Sequence, residues 1–219
     1  MKVKRRRKTH TKTAVPSRLE IDSGLDNTGS HNPRTGPTTN RVFLTGVACV
    51  GKTTTGAELS RLLGYRFYDL DREVEVFYQL SIERLQNQHK SPNDFRKTAA
   101  KVLDHILSKP ESCDCVIALP PAGLIGAYWK VVQRADATIV VINDDPENIL
   151  SRIVFFDIDS RPIEKPLSMH ERKLYLREIK ADVSYFRTSY RRATTTVDIS
   201  GLNVEDSARK IKAALQIML

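Results

Sequence analysis

The chain has 219 residues, about one and a half times an average domain, which points to one domain plus an appendage and argues against two full domains. Hydrophobic residues are 40% and charged residues 28%, enough for an ordinary core under a wet surface, and no run approaches the ~20 apolar residues that cross a bilayer; membrane-spanning and signal-led readings are set aside. The formal charge of +9 is uneven, since residues 1–40 carry nine Lys or Arg against three acids and so hold +6 of it.

That first segment is rich in Thr, Ser, Asn, Gly and Pro and nearly lacks apolar periodicity, so it cannot bury enough surface to offset its ordering entropy. It is expected to be a disordered basic tail. The run Lys4 to Lys8 could attract a nucleic-acid backbone by charge alone, but charge runs are weak motifs, and a solvated tail is the stronger reading. Cys49, Cys113 and Cys115 suggest no disulfide framework or metal-ligand pairing, which fits reduced thiols in the cytoplasm.

From Arg41 onward, short apolar runs alternate with amphipathic stretches, the pattern of an α/β sheet, and residues 41–219 are taken as the folded domain. Strands are expected at 42–45, 66–69, 115–119, 138–142 and 195–199. Helices are expected at 52–63, 82–86, 94–107, 146–154, 169–185 and 204–218. In the last of these Val204, Ala208, Ile211, Leu215 and Met218 share one face behind a capping Asn203, which is a core stripe.

Between the first strand and the first helix stands Gly46-Val47-Ala48-Cys49-Val50-Gly51-Lys52-Thr53, a full match to G-x-x-x-x-G-K-[ST] with the required strand before and helix after. Glycines let the backbone wrap oxyanions, successive amides and the helix N-terminus supply positive dipoles, and Lys52 adds a mobile full charge. Residues 46–54, through Thr54, are therefore the expected cradle for a nucleoside triphosphate, with the Thr53 hydroxyl on a Mg2+ ion. A GTPase is disfavoured because Ile142-Asn143-Asp144-Asp145-Pro146 offers no Asn-Lys-x-Asp. A motor-type ATPase is disfavoured because Val116-Ile117-Ala118-Leu119 runs into Pro120 and Pro121 instead of an acid.

After the second strand, Tyr68-Asp69-Leu70-Asp71 places two carboxylates on one side of an extended backbone by the period-two rule, at the sheet edge where ligands of open α/β sheets bind. A carboxylate facing an acceptor hydroxyl is the usual partner in phosphoryl transfer.

Gly46 to Thr53, then Phe67 to Glu75 with the acidic pair, then Phe95-Arg96, then Arg161-Pro162 together resemble the shikimate kinase family over residues 41–219. The resemblance implies a P-loop NTPase fold with three α/β/α layers, a five-stranded parallel sheet and a lid segment, and transfer of the ATP γ-phosphoryl to a carbocyclic hydroxyl. Carried over by position, Lys52, Asp71 and Arg161 would be catalytic, with Asp71 orienting the attacking hydroxyl and Arg161 closing from the lid. Thr53 and Asp69 would serve the Mg2+ ion, Arg152 would stack on adenine, and Arg96 would grip the acceptor carboxylate.

Two departures fall on the acceptor. Where the family has three consecutive glycines this chain has Pro120, Pro121 and Ala122, with Gly123 one place late as the substitute. The family's Arg-x-Pro-x-Tyr becomes Phe186-Arg187-Thr188-Ser189-Tyr190, so that Arg187, one place nearer the tyrosine, is the expected second acceptor cation, with Arg191 and Arg192 nearby. Ala99 stands where a glutamate often supports the first arginine.

The expected activity is ATP- and Mg2+-dependent phosphoryl transfer to a small hydroxylated acceptor, shikimate first, by a cytoplasmic monomer. One alternative is a kinase of another small alcohol such as gluconate. The other is a catalytically silent nucleotide or metabolite sensor whose basic tail touches nucleic acid.

Overall fold

The computed structural model describes residues 4–5 and 39–216. The basic tail thus lies outside the described residues except at β1 (Lys4–Arg5) and where the domain begins. The remaining strands are β2 (Asn40–Thr45), β3 (Arg66–Asp69), β4 (Asp114–Ala118), β5 (Ala137–Asn143), β6 (Phe155–Phe156), β7 (Pro162–Ile163) and β8 (Thr195–Asp198). The helices are α1 (Lys52–Leu63), α2 (Leu70–Tyr78), α3 (Ile82–Asn87), α4 (Pro92–Ser108), α5 (Gly126–Val132), α6 (Pro146–Ser151), α7 (Met169–Tyr190) and α8 (Val204–Gln216).

Five strands form one sheet in the order β3-β4-β2-β5-β8, every neighbouring pair parallel. Strict alternation divides its side chains: Phe43, Cys115, Ile117 and Ile139 face a cluster with α2, α4 and α5, while Val42, Leu44, Val116, Val140 and Ile142 face another with α1, α6, α7 and α8. Both faces are covered, and the three-layer α/β/α architecture follows. The first strand β2 is central, with the chain passing to opposite sides of it, so a crevice opens at its carboxyl end.

Capping sets the helix starts. Ser91 accepts from the Asp94 amide ahead of Pro92 in α4, and Ser168 with Glu171 forms a reciprocal capping box on α7. α1 ends at Gly64 in a left-handed conformation whose N–H reaches Ser60 O.

Two helices were not expected. α2 begins at Leu70 because the Asp69 side chain accepts from the amides of Asp71 and Arg72, converting the strand end into a helix cap; Leu70 and Val74 then bury on one face. α5 is a short segment whose Tyr128, Val131 and Val132 fill the core beside α4. α6 stops at Ser151, short of the expected 154, because β6 starts at Phe155, and α7 continues to Tyr190, beyond the expected 185. β6 and β7 pair antiparallel as a hairpin, and β1 pairs with the other side of β6.

Candidate active site

A cavity of about 610 Å3 opens at the carboxyl edge of the sheet. One half is the loop between β2 and α1. Gly46 has φ +150°, and a Cβ there would stand 2.6 Å from Ile142 O, so no other residue fits; Gly51 has φ +105°. Val47 and Val50 bury their side chains and anchor the loop by its underside, leaving only their backbone for a ligand. Ala48, Cys49, Gly51, Lys52, Thr53 and Thr54 face the cavity. Cys49 holds φ +62°, a strained conformation for a residue with a Cβ.

Lys52 Nζ donates to Gly46 O at 2.9 Å and Val47 O at 2.8 Å, so the ammonium rests on its own loop, within reach of any oxyanion that displaces it. Burial lowers its pKa below the ordinary lysine value, and Cys49, Asp71 and Asp69 oppose that shift. Thr53 Oγ1 donates to Asp69 Oδ2 at 2.5 Å, an oxygen pair at a helix N-terminus that suits a Mg2+ ion keeping several of its own waters. Thr54 Oγ1 donates to Gly51 O at 3.1 Å. Arg152, just past α6, is ion-paired with the buried Asp144 and donates from Nε to Asn148 O at 3.2 Å, lying over Gly51 on the cavity wall.

In the other half Asp71 faces the cavity from the first turn of α2. The expected extended pair of carboxylates is corrected: Asp69 closes the strand as a cap and Asp71 already belongs to the helix, because the Asp69 carboxylate accepts from the Asp71 amide at 3.1 Å. Both still reach one cavity.

Arg96, on α4, is half-buried with its Nε near Gly126, and that Nε has no hydrogen-bond partner among the described residues. Burial raises the Tyr128 hydroxyl well above its ordinary pKa, Asp71 pushes it further and Arg96 opposes, so the buried Tyr128 lies within electrostatic range of both. Arg96 does not line the cavity itself.

Two expected acceptor contacts are displaced. Gly123 is buried and its amide is taken by Pro120 O at 2.8 Å, so it closes a turn beneath the wall; Pro120 and Pro121 line the cavity instead. Arg187 is exposed on α7, whereas its neighbour Phe186 is 3% exposed and faces the cavity with Asp182, one turn earlier. Helical geometry turns adjacent residues by about 100°, so one position separates wall from solvent. Phe186 stacks on Tyr190 with centroids 5.6 Å apart, and Tyr190 Oη donates to Pro121 O at 3.2 Å. No sequence signal marks Phe186, because the bond that anchors Tyr190 joins residues far apart along the chain. Arg192 is turned away, donating to Leu124 O at 2.6 Å with its guanidinium over Trp129.

Arg161 is exposed in the β6–β7 hairpin and outside the cavity. The hairpin is fastened to α3 and its cap by Arg84 with Asp159 at 2.6 Å and by the Ser81 hydroxyl, which donates to Ile158 O. Val154 and Phe156 at its base line the cavity, so a swing of the hairpin is what would carry Arg161 toward the phosphates.

With this geometry in view, the profile of the shikimate kinase family matches residues 48–216. The chain belongs to the shikimate kinase family. It is 32% identical over 152 residues to a shikimate kinase of Aquifex aeolicus, covering 65% of this chain and 84% of that one, and 30% identical over 177 residues to a shikimate kinase of Chlorobaculum parvum, covering 78% and 91%. The crystal structure of the Aquifex aeolicus shikimate kinase superposes with a TM-score of 0.60 at 29% identity over 80% of this chain and 96% of that chain. A gluconokinase structure from Sinorhizobium meliloti shares the fold at 15% identity and TM-score 0.52, over 83% and 94%. The protein is accordingly a phosphotransferase of the kinase type with an alcohol group as acceptor. Among the described residues no helix is long and apolar enough to cross a membrane.

Proposed function

We propose ATP- and Mg2+-dependent transfer of the γ-phosphoryl group to a hydroxyl of a small acceptor held by Asp71. The observation that carries the reading is the placement of Lys52, the Thr53–Asp69 pair and Asp71 around one cavity. Lys52 leaves its loop carbonyls for the phosphate oxygens, and the loop amides hold the remaining charge in place. Thr53 and Asp69 would hold the Mg2+ ion, which when bound neutralises phosphate charge. Asp71 accepts a hydrogen bond from the attacking hydroxyl and orients it in line, taking the proton as the new O–P bond forms and the bond from the γ-phosphorus to the bridging oxygen breaks to leave ADP. Arg161 completes the charge clamp when the hairpin closes, and Arg152 covers the nucleotide.

Shikimate is the acceptor nominated by family membership, with Arg96 as the cation on the acceptor side. A second reading, an alcohol other than shikimate, is favoured by Phe186, Pro120 and Pro121 in the wall. Radiolabelled ATP offered with shikimate, gluconate and uncharged cyclic alcohols tests both. Mg2+-dependent label transfer to one of them, lost in Lys52→Ala, is expected; hydrolysis without transfer to any acceptor would overturn the proposal.

A further inference from the structure

Beside the phosphate half, in the turn between β5 and α6, the side chain of Asp144 is only 2% exposed. Burying a carboxylate costs desolvation that an ion pair at best offsets, so an apolar residue would serve packing there equally well. The acid is held by donors of its own neighbourhood. Its Oδ1 accepts from the Asp145 amide at 2.7 Å and from Asn148 Nδ2 at 2.9 Å, and its Oδ2 pairs with Arg152 Nη2. Asp144, Asn148 and Arg152 follow at intervals of four residues, and α6 brings them onto one face.

These bonds leave the Arg152 guanidinium one orientation. Nε donates to Asn148 O at 3.2 Å, Nη2 is held by Asp144, and Nη1 lies 3.6 Å from where a Cβ on Gly51 would stand. Two of its three nitrogens are tied to the protein, which fixes the plane of the group over the end of the phosphate loop. The side chain is still 38% exposed, on the cavity wall. An arginine that hung free would lose its rotamer freedom on meeting a ligand, whereas this one has lost it beforehand. With a carboxylate against it, its charge is compensated, so it offers a ligand a flat face more than a cation; charge for the phosphates is left to Lys52 and the loop amides.

We infer that Asp144 is a positioning residue for the nucleotide: it holds the Arg152 plane against the base and takes no part in holding the phosphates. The inference rests on the proposal that Arg152 covers the nucleotide.

The test compares a non-hydrolysable ATP analogue with tripolyphosphate, which has the phosphates and no base, each titrated with Mg2+ by calorimetry into the full chain. Asp144→Asn keeps an oxygen for the Asp145 amide and turns an N–H toward Arg152, so it breaks the pair and spares the turn. It is expected to raise the Kd of the analogue about tenfold. The Kd of tripolyphosphate should stay the same or fall, because a negative charge has gone from that end of the cavity. Arg152→Ala is expected to lose at least as much affinity for the analogue, and adding Asp144→Asn to it to lose nothing more. Should the amide variant fail to fold, Asp144→Ser, which keeps an oxygen for the turn and is too short for Arg152, repeats the measurement; failure of both to fold assigns the acid to the fold and overturns the inference. A loss shared equally by the two ligands marks a structural role and also overturns it, as does a further loss in the double variant. Full analogue affinity in folded Asp144→Asn, with Arg152→Ala weakened, overturns the role of Asp144 and leaves Arg152 on the nucleotide. Full affinity in Arg152→Ala removes both residues from the nucleotide site without touching Lys52 and its loop.

Discussion

The two halves of the cavity are built by different means. The proposed phosphate half is built on nine consecutive residues, 46–54, which offer backbone amides, the Lys52 ammonium and threonine hydroxyls, with Asp69 and Arg152 beside them. The proposed acceptor half is gathered from α2, α3, the turn after β4, and α7, and presents side chains to the cavity. A ligand site made of backbone tolerates little change, because its glycines are dictated by sterics, as Gly46 is by Ile142 O. A site made of side chains from distant elements can be rewritten one residue at a time without disturbing the fold, and here the departures from the family pattern fall on that half.

The largest expected effect lies in the phosphate half. Lys52→Ala should lower kcat/KM by about 1000-fold, with circular dichroism and urea unfolding unchanged, since among the described residues the ammonium bonds only its own loop. Turnover within a few-fold of normal would remove Lys52 from the mechanism. In the acceptor half Asp71→Asn should lower kcat about 100-fold, the lower end for losing a positioned acid or base, while calorimetry shows nucleotide binding intact. A matching loss of nucleotide affinity would mean that the halves are not separable.

Tyr190→Phe sharpens the comparison further. Loss of the bond to Pro121 O should cost about 1 kcal/mol of stability in urea unfolding and raise the acceptor KM, with nucleotide affinity untouched. The capping box that starts α7, the helix bearing Asp182 and Phe186, gives a pH signature. Lys165 first, then Ser168, hold the Glu171 carboxyl at about 2, below its ordinary 4.5. A depressed carboxylate pKa stabilises the fold above the unfolded value, so this contribution is complete above pH 4.5 and fades as pH falls toward 2. The difference in melting temperature between the native chain and Glu171→Gln should therefore close across that interval; a constant difference would show that the box does not stabilise α7. The smallest effect is expected at Cys49→Gly, which relieves the left-handed strain at φ +62° but loosens the unfolded chain. Its unfolding free energy should change by less than about 1 kcal/mol, because the strain and entropy terms oppose each other.

Much of the fold was legible before any coordinates. All five strands of the parallel sheet, α1 with both its ends and the buried Ala208, Ile211 and Leu215 of the α8 stripe follow from apolar runs of period two and period three to four, whereas Val204 at the head of that stripe is exposed and Met218 lies outside the described residues. α2 was hidden because Asp69 serves both as last strand residue and as helix cap, and the extended pair was ranked above a strand end capping the next helix. α5 was hidden because its seven residues lack enough turns for a period to show. Arg187 was favoured over Phe186 because charge was sought where the family has it, whereas the buried register of α7, anchored by Tyr190, put a ring in that place.

By itself the sequence determined the phosphate cradle, since a glycine-spaced loop between a strand and a helix specifies its backbone geometry locally. It also determined the layer order, because fully apolar strands separated by amphipathic segments must be covered on both faces. Tertiary structure alone decided which side chains complete the acceptor wall. The direction of Phe186, Arg187 and Arg192 depends on the helix phase of α7 against the sheet and on a single hydroxyl bonded across to a proline carbonyl. That phase is set by packing between residues far apart along the chain, and no local pattern carries it.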